Sequence, residues 1–379
     1  VKLPVYLDYN ATTPIDPAVL EAMLPYLAEH FGNPHSAHAY GAKAAAAVAE
    51  ARSQVAGLLG CQPDEIVFTA CASESDNMAI KGAAFARREH GQHIITTAVE
   101  HPAVLNACRY LQAEFGFEVT VLPVDRSGQV DPEWVREAIR PDTILISVMQ
   151  AQNETGVLQP VAEIGQIARE QGILFHVDAA QAVGKVPVNV DDLGCDLLTV
   201  AGHKLYAPKG VGALYVRSGV HLHPLIHGAS YEGGRRAGTD NVAYAVALGK
   251  ACALAGESLA AGEPQRVQSL RDRLHMLLAE RLLVQLNGHE AERLPNTLNI
   301  SVVGAVGNDL LAAIPEIAAS TGSACHAGVS KPSETLLAMG VKPAVALGAL
   351  RLSLGRYTTQ NEIDYAAERI MAAAKQLRD

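Results

Sequence analysis

"TILISVMQAQNETGVLQPVAEIGQIAREQGILFHVD", residues 143–178, opens on a β-branched apolar run, turns through polar residues, and continues with apolar residues at helical spacing over 160–171. It ends in a second β-branched run that stops at Asp178. An extended run, a helical stretch and another extended run make a β–α–β unit, the connection that parallel neighbouring strands require. Outward from this unit the alternation continues. "EIVFTA" (65–70), "HIITT" (93–97) and "EVTVL" (118–122) precede it, and "DLLTV" (196–200) and "GALYV" (212–216) follow the run "ILFHV" (173–177). The pattern predicts a mostly parallel, seven-stranded α/β sheet covered on both faces. "GALYV" follows its predecessor through "AGHKLYAPKGV", which has no room for a crossover helix, so it can pair antiparallel.

The chain has 379 residues, long for one core, and two packed lobes are expected. Residues 15–250 read as a large domain. Residues 1–14 and 251–379 read as a smaller α+β domain, with a helical stretch running to 283 and "TLNISV" and "ALRLSLG" as strands. The composition, 49% hydrophobic and 18% charged, is that of an ordinary globular enzyme. A formal net charge of -10 argues against direct nucleic-acid binding, which needs a basic footprint. No run reads as a bilayer span, so no membrane is expected. "VKLPVYLDYN" carries no export-signal pattern, and the scattered cysteines form no CxxC pair. A cytoplasmic protein with free thiols and no metal centre is expected. "HLHPLIH" (His221, His223, His227) is disfavoured as a metal site for want of nearby acidic ligands.

Ligands of open α/β sheets bind beyond the carboxyl ends of the strands, and the unusual polar residues fall there strand after strand. "EIVFTA" runs into Ala72, Ser73 and Glu74, and "HIITTAVE" ends at His101. "TILISVM" leads to Gln152, Asn153 and Glu154, "ILFHV" to Asp178 and Gln181, and "DLLTV" to His203 and Lys204. Each has an ordinary reading. Ser73 can be a helix N-cap with Asp76 as capping-box partner, and His101 can cap the helix that begins at Pro102. Asp178 and Lys204 can be ion-pair partners. Together they describe a site for pyridoxal 5'-phosphate: a helix start for the phosphate, an imidazole to stack, and a carboxylate for the pyridine nitrogen. Asn153 and Gln181 would hydrogen-bond the phenolic oxygen, and the Lys204 amine would attach the cofactor.

These stretches, with "YLDYNATTP", "FGNPHSAH", "QNETGVLQP", "GGRRAGTDN", "STGSACHAG" and "LRLSLGRYTT", closely resemble the cysteine desulfurase family of NifS/IscS-like, class V aminotransferases over essentially the whole chain. The resemblance implies a PLP-dependent transferase fold of the aspartate aminotransferase type (fold type I), a homodimer, and L-cysteine as substrate. It places Ala72, Ser73 and His203 at the cofactor phosphate and His101 over the ring. Asn153, Asp178 and Gln181 would contact the pyridoxal, Lys204 would carry it, and Thr239 would reach the phosphate from the other subunit. Arg351, with Asn153, would bind substrate through its α-carboxylate. Catalysis would rest on Lys204, His101 and Cys325.

Cys325 lies in "AASTGSACHAG" (318–328), a run of small residues unlike the apolar setting of a structural cysteine. The resemblance makes it the nucleophile that takes the substrate's sulfur as a persulfide for a protein acceptor. Iron–sulfur cluster assembly, tRNA thiolation and DNA phosphorothioation are the routes it implies, and His326 is a candidate for lowering the thiol pKa. Four positions depart from the family pattern: Cys71 for Gly, Ser73 for Thr, Ala201 for Ser, and Gln152 for the first of two asparagines. A selenocysteine lyase shares the fold and a similar loop and is the alternative reading. A desulfurase-like scaffold without chemistry is opposed by the intact Lys204, Asp178, His101 and Cys325.

Overall fold

The computed structural model describes residues 1–322 and 331–377, so Cys325 and His326 lie outside the described residues. After a short strand, β1 (Val5–Tyr6), the central sheet is built from β2 (Ile66–Thr69), β3 (His93–Thr97), β4 (Glu118–Leu122), β5 (Thr143–Met149), β6 (Leu174–Asp178), β7 (Leu197–Ala201) and β8 (Gly212–Val216). The order is β2-β8-β7-β6-β5-β3-β4. The run from β7 to β4 is parallel, and β8 lies antiparallel between β7 and β2. The β7–β8 link holds only a short 3-10 turn, too little for a crossover, so the chain returns beside β7 in the opposite direction. Two expected strands sit one residue later than read from sequence. Asp178 and Ala201 are therefore the last residues of their strands.

Strands β3, β5, β6, β7 and β8 are buried at every position, as strands covered on both faces must be. Consecutive residues divide between two cores. Ile95, Ile146, Leu198 and Tyr215 join one, and Ile94, Leu145, Leu197 and Leu214 join the other. A third core gathers Leu274, Ile300, Leu352, Ile363 and Ile370. It is built on β9 (Val284–Leu286), β10 (Thr297–Val302) and β12 (Ala349–Ser353), paired antiparallel in the order β12-β10-β9. The N-terminal arm belongs here: Val5 and Leu7 pack into this core, and β1 pairs parallel with β11 (Ile317–Ala318).

Residue 250 falls inside the helix Val242–Ala260, whose Leu248, Ala251, Cys252 and Ala255 continue the core of the central sheet. Among the described residues this helix alone is long and apolar enough, by length and composition only, to cross a membrane, an apolar run the sequence reading passed over. Its packing accounts for that composition. It lies so close to the helix Ala39–Leu59 that a Cβ on Gly249 would stand 2.6 Å from the Cα of Ala51.

Candidate active site

Because β8 is the only reversed strand, β2, β3, β5, β6 and β7 deliver their carboxyl ends to one edge of the sheet. Beyond β2 the helix Ala72–Ala86 begins, with Cys71 in extended backbone at its N-cap and no side-chain cap bond. The expected cap at Ser73 and its capping box with Asp76 do not form. Ala72 and Ser73 occupy the first two helical positions, whose N–H groups have no intrahelical acceptor. Asp76 turns into the core instead, 1% exposed, with Oδ1 3.7 Å from Nε2 of the buried His176. Glu74 closes the turn, accepting the Ala70 N–H at 2.8 Å and Nε of Arg236 at 2.9 Å.

His101 caps the helix Pro102–Phe115, and its Nδ1 accepts the Ala103 N–H at 3.1 Å. That bond assigns the ring hydrogen of the neutral imidazole to Nε2. Burial, then the Lys204 amine, depress its pKa, while the Asp178 carboxylate opposes them. Asp178 is 5% exposed and accepts the Ala180 N–H at 2.9 Å. Burial raises its pKa against the pull of that N–H, His101 and Lys204. Lys204 ends the turn Gly202–Lys204 and donates to the main-chain oxygens of Asn10 and, at 2.9 Å, Ala11. Burial, helped by Arg351, lowers its pKa to about 8. The His203 ring pairs with Oγ1 of Thr12 at 3.2 Å, and burial and the neighbouring lysines bring its pKa down to about 4.

The N-terminal arm supplies a hub that sequence reasoning missed. The main-chain oxygen of Asn10 receives Lys204 and, at 2.9 Å, Nε2 of Gln181. Its Oδ1 receives Lys185 at 3.2 Å and Asn296 at 3.0 Å. Its Nδ2 donates to Oγ1 of Thr297 at 2.8 Å and to the main-chain oxygen of Asn153 at 3.2 Å. No local pattern marks Asn10, which stands in "YLDYNATTP" among other polar residues. On β12, Arg351 is 7% exposed. It donates to Asp8 at 2.7 Å and more weakly to the Asn153 oxygen, while its Nε is buried without a partner among the described residues.

Gln152, a departure from the family pattern, has a structural place. Its Oε1 accepts the N–H groups of Glu154 and Thr155, and its Nε2 donates to Oγ1 of Thr335 at 3.2 Å. Thr239 is exposed and lines a cavity of about 580 Å³ with Thr69, Ala70 and Arg236. Cys325 lies outside the described residues. No cluster of metal-ligating side chains occurs among the described residues.

The donor set fits pyridoxal 5'-phosphate. A helix start with unused N–H groups faces the edge where a desolvated amine, a buried carboxylate and a neutral imidazole meet. A buried guanidinium nitrogen without a partner among the described residues belongs to Arg351 beside them. The family model for aminotransferase class-V matches residues 5–366. A curated relative described as "Cysteine desulfurase IscS", from Dictyoglomus turgidum, is 48% identical over 381 residues, covering 100% of this chain and 96% of the relative. The solved structure of a "NifS-like protein" superposes with a TM-score of 0.92 at 38% identity, covering 98% of this chain and 99% of that one. Another, "SspA in complex with cysteine", has a TM-score of 0.82 at 39% identity, covering 93% and 99% of the two chains. A pyridoxal-type site at the sheet edge and full-length likeness to these proteins lead to one conclusion: the chain belongs to the PLP-dependent cysteine desulfurase family of the class-V aminotransferases.

Proposed function

We propose that this chain is a cysteine desulfurase that takes the sulfur of L-cysteine, releases L-alanine, and holds the sulfur as a persulfide on Cys325. The observation that carries the reading is the meeting of Lys204, Asp178 and His101, in which the Asp178 carboxylate acts on the charge of both other groups and the Lys204 amine on those of His101 and Asp178. Ala72, Ser73 and His203 would hold the cofactor phosphate, and a homodimer would bring Thr239 of the second copy to it. Exposed Leu20, Leu24 and Leu27, spaced along one side of the helical segment 17–28, and exposed Phe31 and Tyr40 support pairing with a second copy. Asp178 would keep a proton on the pyridine nitrogen, and His101 would cover the ring. Asn153 and Gln181 would face the ring oxygen.

Pyridoxal 5'-phosphate, when bound, supplies the electron sink that no side chain offers. The rest is done by the chain. Arg351 holds the substrate carboxylate with the guanidinium nitrogen that lacks a partner, and the Asn153 turn lies beside it. Lys204, with its pKa near 8, takes the substrate's α-proton at Nζ. His101 donates or accepts at Nε2. The Cys325 thiolate attacks the substrate sulfur. The new S–S bond forms as the carbon–sulfur bond breaks, its electron pair stays on carbon, and protonation of that carbon together with return of the proton held by Lys204 to the α-carbon gives alanine. The relatives named as desulfurases support cysteine over selenocysteine.

We place the protein in the cytoplasm, with a protein acceptor that takes sulfur for iron–sulfur cluster assembly, tRNA thiolation or DNA phosphorothioation. Comparing alanine release from L-cysteine and L-selenocysteine tests the reaction, with faster turnover of cysteine expected. Release from selenocysteine alone would reject it. Capture of partners by the persulfidated enzyme identifies the acceptor.

A further inference from the structure

Lys185 is a second lysine beside Lys204, and nothing in the reaction just described uses it. Its amine donates to Oε1 of Gln181 at 2.6 Å and to Oδ1 of Asn10 at 3.2 Å. Both partners are neutral amides. Lys185 is only half-buried as a residue, but an amine desolvated without a counter-ion among the described residues is costly. Burial, with the Lys204 and Arg351 charges adding to it, pushes its pKa well below the usual lysine value. Charged or neutral, the amine can supply the two donors that these two oxygens take.

We infer that Lys185 is a positioning residue that fixes which end of the Gln181 amide faces the cofactor's ring oxygen. The inference rests on the placing of Gln181 at that oxygen. An amide's oxygen and nitrogen are nearly alike in shape, so only partners decide its orientation. Gln181 is held from two sides. Lys185 gives a donor to Oε1, and the main-chain oxygen of Asn10 accepts from Nε2 at 2.9 Å. Turning the amide over would set donor against donor and oxygen against oxygen. One N–H of Nε2 is spent on Asn10, and the other remains to be given to the ring oxygen. Asn10 is pinned in the same way. Its Oδ1 faces Lys185 and Asn296, which leaves Nδ2 for Thr297 and Asn153. One amine thus orients the amide at the ring oxygen and the residue whose carbonyl receives Lys204.

The test uses the holoenzyme and the absorbance titration of the cofactor attached to Lys204. A donor to the negatively charged ring oxygen weakens the hold on the proton of that attachment, so losing the donor raises the titration midpoint. Lys185→Met removes both donors and keeps the stem, which lines a cavity of about 520 Å³ with Tyr9, Tyr206 and Asn296. The midpoint should rise by about one pH unit, the size of one hydrogen bond. Gln181→Met should give a similar rise, and the double variant no further one, because Lys185 acts through Gln181. An unchanged midpoint in Lys185→Met beside a shifted one in Gln181→Met overturns the inference, as does an additive shift in the double variant. If Lys185→Met does not fold, Lys185→Arg, which keeps donors, should titrate like wild type, and a full rise there overturns it too. If Gln181→Met leaves the midpoint unmoved, the placing of Gln181 fails and the inference with it. Persistence of the absorbance in Lys204→Ala would show instead that the cofactor reading is at fault.

Discussion

Lys204 donates its amine to the main-chain oxygen of Ala11 at 2.9 Å, across 193 residues of sequence. The acceptors are neutral carbonyls, so they do not restore the solvation lost on burial, and the amine's pKa falls to about 8. An amine must be unprotonated to attack the cofactor's aldehyde. Uptake of cofactor by apoenzyme should therefore quicken about tenfold per pH unit below pH 8 and level off above it. A plateau reached only near the pKa of an ordinary lysine, about 10.4, would contradict this burial effect. The stability of apoenzyme carries the same sign. Between the folded value of about 8 and the unfolded value near 10.5 the unfolded chain binds more protons, so stability rises with pH through that window and the gain is absent below it.

Lys204→Ala should lose the cofactor absorbance and all turnover while eluting at the same size as wild type. Alanine release at near wild-type rate would remove Lys204 from the mechanism.

Glu154 gathers the two flanks of the segment that carries Cys325. Its carboxylate accepts the Ser333 hydroxyl at 2.6 Å and the Thr335 hydroxyl at 3.0 Å. On the other flank a Cβ on Gly322 would stand 2.3 Å from Glu154 Oε2, at a backbone φ of +78° that favours glycine. Ser333 also caps the helix Glu334–Ala338. Glu154→Ala should cost about 2–4 kcal/mol of stability in denaturant unfolding, since two hydroxyls lose a charged acceptor. Gly322→Ala should slow alanine release several-fold without changing the cofactor spectrum, because the clash lies on the Cys325 side of the site. A Gly322→Ala enzyme of normal rate would count against this arrangement.

The sheet was legible because strands buried on both faces are apolar throughout, and the polar residues that interrupt them mark their ends. His101 was legible as a cap from Pro102 alone. The capping box at Ser73 failed for a physical reason. A Ser followed by an acid three residues on also occurs where that acid is drawn inward, here beneath β6 and β7 beside His176 and Thr199. Asn10 and Lys185 could not be read from local pattern, since the partners of Asn10 lie as far as 343 residues away and meet only when the arm crosses the site. Residue 250, read as the end of the large domain, falls within the helix Val242–Ala260, whose apolar composition reports the core it enters.

Cys71 sits at the N-cap in backbone with φ −174°, a conformation open to any residue, and its side chain makes no cap bond. Cys71→Gly should therefore keep most of the desulfurase activity and change stability by only a few tenths of a kcal/mol. A loss as deep as that of a Cys325 variant would reveal a second sulfur relay at this turn.

The remaining cysteines sharpen the case for Cys325. Burial pushes the thiols of Cys61, Cys108 and Cys252 up to about 12, and raises Cys195 as well, so at neutral pH almost none of these groups is a thiolate. These buried thiols are therefore poorly suited to take up sulfur as a persulfide. Cys325→Ser leaves Lys204, Asp178, Ser73 and Arg351 in place, so it should bind cofactor and cysteine, and substrate should still shift the cofactor spectrum. Alanine and sulfide production should collapse, because a hydroxyl is a far weaker nucleophile than a thiolate and cannot carry sulfur as a persulfide. Mass spectrometry of wild-type enzyme after turnover should find one added sulfur on the peptide containing Cys325. If the sulfur appears instead on Cys61, Cys71, Cys108, Cys195 or Cys252, the proposed mechanism fails.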